Sequence, residues 1–594
     1  MSKMVVVEFD LTSDELRKYG YTLKKEGRTL ALYQNGGSCC VRSDILKLWN
    51  QTNDKFESKL FDKGIDKMVI ATIMDNIASN YEKIATPSEL LSTRQQRMQS
   101  NYSEIQMTPK AIKASCTMKE WQTTLKEKYY DNLKNETEQK IPGLWPLLEF
   151  AITMKCILNI KTITLPTIGI ILGPPGALKT VTINMPKGAR DTFTLDNFTP
   201  KSLVSHNSNL TEEQLQENDI LPKIKNKMFL VPELSPLFTN KEEDLSNTIG
   251  MIVRIADGEG YTSATGSKGV RGYEGPIMFV LLGAAVDIPR KIHRMLSRLG
   301  PKLYFFRLSA ANDDEDTILQ AIQNDNYNDK TQKIKKALFD YLEYFESCPN
   351  MELDPESGIP KIRWDSTKSI SNQIEAQNII IKLSVLLAHL RGDVTTWETE
   401  TTQGLNYGYG TRIVERPQRA AIQLHNLARA HALSQGREHI TIEDDLPLVV
   451  KVVLSGAASM ERVKVLNLLL SGQKTDWYRV EDVAKAIGTT DNTAKRVIAE
   501  FKALELVEVD ETLSDVGKEL IRIRLKDNFE WFFSEDFKKL KGDYEPGDFK
   551  DFLIDMTTNK KKTKKTTTTR ASSSSSGNDA NANSTMEDYS TESC

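Results

Sequence analysis

Ile170-Ile-Leu-Gly-Pro-Pro-Gly-Ala-Leu-Lys179-Thr180 joins an apolar run to a glycine-rich loop and then to a lysine–threonine step. The run predicts a buried strand, and the residues from Lys179 onward predict a helix. Each part of the loop suits phosphate. Gly173 and Gly176 let the backbone curl until its N–H groups point at phosphate oxygens, and Pro174, Pro175, Ala177 and Leu178 complete the cradle. Lys179 reaches the β- and γ-phosphates, the Thr180 hydroxyl ligates Mg²⁺, and the helix start adds its positive dipole end. The strict pattern G-x-x-x-x-G-K-[ST] has glycine before the lysine; here that residue is Leu178. A tight strand-to-helix turn with a solvated lysine would use similar residues. The strand–loop–helix context and the Gly-Pro-Pro-Gly opening favour a site for ATP and Mg²⁺.

Two more short apolar runs, Met228–Val231 and Met278–Leu282, join Ile168–Leu172 as candidate parallel strands. With helical segments between them they predict an α/β sheet with crossover helices. A P-loop ATPase also needs an acid at the end of a neighbouring strand, to hold Mg²⁺ or polarise water. Val231-Pro232-Glu233 supplies one carboxylate where a pair is usual, so Glu233 is the candidate for both tasks. The glycine-punctuated stretch Asp257–Tyr273 reads as a β-hairpin carrying Lys268 and Arg271.

The chain of 594 residues has room for about three to five domains. Its 78 Lys and Arg against 81 Asp and Glu leave a net charge of −3, so any nucleic-acid contact must come from local patches. Cys39, Cys40, Cys116, Cys156, Cys348 and Cys594 form no C-x-x-C pair, which argues against zinc and against a disulfide framework. The acidic N-terminus lacks a signal-peptide core, and the most apolar stretch, Ile163–Leu172, is too short to span a membrane. The expectation is a reducing cytoplasmic compartment, nucleoid association included, with no membrane partner.

Composition divides the chain into a small mixed α/β region (1–110), a nucleotide-binding core (111–315), a helical region (316–458), a C-terminal module (459–555) and a tail rich in Lys, Thr, Ser and Asn (556–594), expected to be disordered. Residues Met4–Phe9 alternate as a strand, Lys59–Ile84 has helical apolar spacing, and Thr93–Lys110 reads as a linker. In the C-terminal module, Glu461–Leu470, Val480–Gly488 and Asp491–Leu504 predict three helices, and Leu506–Asp510 with Leu520–Lys526 predict two strands: a winged helix. Thr490, Asn492, Thr493, Lys495 and Arg496 fall on the polar start of the third helix, where they suit a DNA major groove.

The order of these motifs resembles AAA+ ATPases and, within them, the minichromosome-maintenance (MCM) helicases. The resemblance runs from about Ile141 to Ser455 and into the winged helix. Pro142-Gly143-Leu144-Trp145 is similar to the family's lead-in to the helix before the phosphate loop, and Phe229–Glu233 to its acidic strand. Met278–Asp287 resembles the sensor-1 strand, with Val286 where a polar residue is usual. Met295-Leu-Ser-Arg298 resembles the segment of the arginine finger, and Arg419, opening the segment Arg419–Ala432, matches the sensor-2 arginine of a helical lid. The resemblance implies catalytic roles for Glu233, Arg298 and Arg419, and a homo-oligomeric ring such as a hexamer. It also implies a pore hairpin placing Lys268 and Arg271 on DNA, and helicase or translocase activity. Leu178, Pro232 and Val286 depart at positions of hydrolysis. Those departures keep two rivals open: an ATP switch such as an initiator or loader, and a DNA-binding protein with an inert core.

Overall fold

The computed structural model describes residues 8–10, 12–26, 29–34, 39–44, 60–79, 116–206, 211–238, 242–265, 269–300, 302–309, 326–364, 370–401, 404–513 and 519–547. The chain divides into two units, Met1–Gln106 and Met107–Cys594. The tail expected at 556–594 and the whole of the expected linker Thr93–Lys110 lie outside the described residues.

In the first unit, β1 (Glu8–Asp10), α1 (Asp14–Lys18), β2 (Tyr21–Glu26), β3 (Thr29–Gln34) and β4 (Cys39–Asp44) are followed by α2 (Lys67–Ser79). The strands form an antiparallel sheet in the order β1-β2-β3-β4. Leu16, Leu23, Leu32 and Val41 pack with Val69, Ile70, Ile73 and Ile77, the apolar stripe of α2. Only the end of the expected Met4–Phe9 strand falls among the described residues.

The second unit opens with α3 (Met118–Thr124), whose Thr117–Glu120 capping box fixes its start. A π-turn over Leu125–Tyr130 carries the helix into α4 (Asp131–Lys140), and α5 (Trp145–Cys156) follows. The core is built on β5 (Thr167–Leu172), α6 (Lys179–Asn184), β6 (Thr192–Thr194), α7 (Glu212–Asn218), α8 (Ile220–Ile224), β7 (Met228–Val231) and α9 (Glu242–Ile255). Next come β8 (Gly260–Thr265), β9 (Gly269–Glu274), β10 (Val280–Ala285), α10 (Arg290–Leu299) and β11 (Leu303–Arg307). Strands β11-β5-β10-β7-β6, in that order, make a wholly parallel five-stranded sheet. The central strands are buried along their whole length, as their unbroken apolar runs require. The third expected strand lies further along, at Val280–Ala285, where it pairs with β5 and β7 at once.

Beyond the sheet come α11 (Tyr327–Glu346), the short strands β12 (Glu352–Leu353) and β13 (Pro360–Lys361), α12 (Ile370–Arg391), the hairpin β14 (Thr396–Thr401) and β15 (Gly404–Tyr409), α13 (Pro417–Ser434) and α14 (Ile442–Ser455). Pro417 opens α13, where its missing N–H costs nothing. The C-terminal segment has three helices, α15 (Met460–Ser471), α16 (Val480–Ile487) and α17 (Asp491–Ala503), with a sheet of β16 (Tyr478–Arg479), β18 (Glu519–Leu525) and β17 (Val507–Leu513). Gly488 closes α16 with φ 67, a left-handed cap that glycine takes without strain. A last helix, α18 (Glu535–Lys541), precedes a strap whose Tyr544 hydroxyl bonds the Arg307 carbonyl at the end of β11. Among the described residues no helix is long and apolar enough to cross a membrane.

Candidate nucleotide site and nucleic-acid interface

The glycine-rich loop leaves the C-terminal end of β5, the second strand of five, flanked by β11 and β10. Gly173 is wedged against Leu308; a Cβ there would come within 2.6 Å of Leu308 Cδ1. Gly176 has φ 84 and open space around it. Leu178, standing where the strict pattern has glycine, adopts φ 54. A side chain in the left-handed region costs about 1–2 kcal/mol, and such strain persists where surrounding structure enforces it. Leu178 thus takes a left-handed backbone that glycine would take freely.

Lys179 is buried and its Nζ donates to the loop carbonyls of Gly173 (2.7 Å) and Pro174 (2.6 Å). Burial lowers its pKa, and the negative charge of Glu233 works against that shift. Glu233 follows β7 and is exposed; its Oε1 accepts from the Ser235 N–H at 2.8 Å. Thr180 is exposed beside the loop. The loop glycines, a lysine over the loop, an exposed threonine hydroxyl and a carboxylate that reaches the lysine electrostatically are the groups that ATP and Mg²⁺ would need. Sequence reasoning missed Arg307. It ends β11 next to Leu172, is buried, and pairs with Asp287 beyond β10 at 2.8 Å, so an ion pair crosses the sheet beside the loop. A cation closing the aromatic run Leu303-Tyr-Phe-Phe-Arg307 was the available signal.

The other two catalytic candidates stand elsewhere. Arg419 bonds Asp257 (2.9 Å) and the Ala256 carbonyl (2.8 Å), while Gln423, one turn on, holds Thr167 and Pro166 at the start of β5. At about 3.3 Å per residue, β5 separates this end of the sheet from the loop by roughly 17 Å. Arg419 therefore stands at the end of the sheet opposite the loop of its own chain. Arg298 lies in the last turn of α10, shortly before β11 begins at that same edge. Its guanidinium is half-exposed and rests on Asp393 at 3.2 Å.

The β8–β9 hairpin forms as expected, with Gly260 and Gly272 at points where a side chain would strike the opposite strand's backbone. Lys268 lies outside the described residues. Arg271, expected to face DNA, is turned inward: it pairs with buried Asp219 at 2.9 Å and bonds the Ser205 carbonyl. Tyr273 also donates to Asp219 (2.8 Å), so one carboxylate latches the hairpin to the start of α8.

Helix α17 holds the remaining candidates. Thr490 caps its N-terminus; Thr490 and Asn492 are exposed and Thr493 is half-buried. Lys495 donates to the Leu405 carbonyl of β15 at 2.9 Å, and Arg496 pairs with Glu500 at 2.8 Å. Glu500 is 1% exposed and also receives Arg462 (3.1 Å) and Arg290. The expected outward face of α17 is therefore covered by the same chain beyond its first turn. Arg522 and Arg524 on β18 are matched by Asp510 and Glu508 on β17.

No protein-family model matches the chain, and no curated protein matches its sequence. Among solved structures the chain is similar to one described as "SCCmec type IV Cch - active helicase", at 11% identity and a TM-score of 0.26, covering 91% of this chain and 94% of that one. Another, "The A form apo structure of NrS-1 C terminal region-CTR", shares 13% identity at a TM-score of 0.21, covering 71% and 79%.

Proposed function

We propose that this chain is an oligomeric AAA+ ATPase, similar to the MCM helicases, that acts on DNA as a helicase or translocase. The observation that carries the reading is the phosphate loop at the C-terminal end of β5 with Lys179 over it and Glu233 within its electrostatic reach. Residues Gly173–Thr180 would hold the phosphates, and Thr180 with Glu233 the Mg²⁺; bound ATP supplies the driving free energy. Strand β10 lies between β5 and β7, so Glu233 starts two strands from the loop, roughly 10 Å at about 4.8 Å per strand. That spacing suits a carboxylate that orients a water. Arg298 and Arg419, at the far edge of the sheet, serve a neighbouring copy, which is the reason for an oligomer. The helical region then acts as the lid, and the C-terminal segment as a winged helix that recruits DNA through α17.

One observation favours a slower ATP switch: Pro232 leaves a single carboxylate there, and Glu233 is engaged with the Ser235 N–H. Titrating single-stranded DNA into chain and ATP separates the readings. The helicase reading expects turnover that rises with DNA and vanishes in Glu233→Gln; nucleotide binding with no turnover at any DNA concentration selects the switch.

A further inference from the structure

Helix α17 is enclosed on two sides. Ala494, Val497, Ile498 and Phe501 face the core of their own module, and on other faces Ala499, Glu500 and Ala503 are buried as well. Two different contacts produce this cover. Toward its C-terminal half, Glu500 is gripped by Arg290 of α10, Arg462 of α15 and Arg496 of α17 itself. Toward its start the cover is the β14–β15 hairpin. There the Leu405 carbonyl receives Lys495, and the Tyr407 ring lies near enough to Arg496 to feel its charge. Tyr407 pairs across the strands with Glu398 and donates to its carboxylate at 3.3 Å.

A helix start bearing Lys495 and Arg496 thus meets a carbonyl oxygen and a strand that carries carboxylates. Those are the groups that stand in best for phosphate oxygens, since both accept charge-assisted hydrogen bonds from the same cations. The two contacts also differ in strength. A buried carboxylate held by three arginines is a fixed joint, whereas the hairpin is held by one hydrogen bond from half-buried Lys495 and by the packing of β15 along the helix, with no buried ion pair between them among the described residues. The chain enters this hairpin from the end of α12 and leaves it toward the start of α13, and the Asp393–Ile413 bridge closes its base. Asn492 and Thr490, at the exposed tip, mark where DNA would first touch.

We infer that the β14–β15 hairpin is an internal occupant of the DNA-facing start of α17, and that duplex DNA binds this helix by displacing it. The inference rests on the reading of the C-terminal segment as a DNA-binding winged helix. It explains why Lys495 has its partner within the unbound chain, and it makes DNA affinity a measure of hairpin opening.

The test is the affinity of the full chain for a double-stranded oligonucleotide, read by fluorescence anisotropy. Replacing residues 396–409 by a short Gly-Ser linker is expected to tighten binding about ten-fold, the gain from removing an occupant present about nine-tenths of the time. Adding Lys495→Ala to that variant removes most of the gain. If the linker variant does not fold, Tyr407→Ala keeps the hairpin length and is expected to shift affinity the same way by about three-fold. Duplex binding that is no tighter in either folded variant overturns the inference and leaves DNA binding to another surface. No duplex binding by parent or variants overturns both the inference and the DNA reading of the module.

Discussion

At the glycine-rich loop, the candidate groups come from consecutive residues at the end of one strand, with Lys179 folded onto the loop's own carbonyls and Thr180 exposed. On α17, five residues of similar promise lie just as close in sequence, yet α10, α15 and the β14–β15 hairpin close over all but the first turn. The difference is one of what sets the geometry. A glycine-rich loop is shaped by its own backbone dihedrals, so its conformation travels with its residues. Whether a helix face is open depends on segments between 38 and 210 residues away. A nucleotide motif is therefore stronger evidence for a site than a helix–turn–helix pattern is for a DNA surface.

Arg298→Ala probes the far edge of the sheet and carries the largest expected effect. ATP turnover falls by about 10³-fold while ATP affinity holds, because an arginine finger acts on transition-state charge in a neighbour. Mixing Arg298→Ala with Glu233→Gln chains restores part of the activity; failure to do so breaks the assignment between copies. The two carboxylates mark the contrast directly. Glu500→Ala leaves three arginines around an empty site, one of them buried, and should cost about 3–5 kcal/mol in denaturant unfolding. Glu233→Ala, exposed at the loop, should change stability by less than about 0.5 kcal/mol. Equal losses would mean that α17 is not locked as described.

A smaller effect is expected at Leu178→Gly. Release from φ 54 outweighs the added freedom of the unfolded chain, for a net gain of about 0.5–1 kcal/mol. A loss in melting temperature would show that Leu178 packing matters more than its backbone. A last test lies remote from both regions. Burial alone would depress His431, but the flanking Asp445 and Glu149 hold its pKa up to about 9. Raised above the unfolded value of 6.5, it contributes stability that is complete below about pH 6.5 and is lost as pH rises through about 9. The melting temperature should fall between pH 7 and 9.5, and less steeply in His431→Gln.

The parallel sheet was legible because β5, β7 and β10 are unbroken apolar runs that only a doubly covered sheet can bury. Strands β6 and β11 escaped notice: Thr192–Thr194 is too short to show a pattern, and Leu303–Arg307 ends in a cation whose partner, Asp287, is supplied from beyond β10. The boundaries of α15, α16 and α17 lie within a residue of the expected Glu461–Leu470, Val480–Gly488 and Asp491–Leu504. The inward turn of Arg271 was not, since Asp219 lies outside the hairpin altogether. Arg419 was matched by its place in a motif, and a motif does not say at which end of a sheet its helix begins.

The account stands on the phosphate loop, and ATP binding to Lys179→Ala tests it most directly. Isothermal calorimetry of parent and variant with Mg²⁺ present is expected to show a loss of affinity of at least about ten-fold, the worth of one charge-assisted contact. The melting temperature of the two proteins should agree, since among the described residues the Lys179 Nζ bonds stay within its own loop. Equal affinity in parent and variant, with both folded, would contradict the nucleotide site and the function proposed from it.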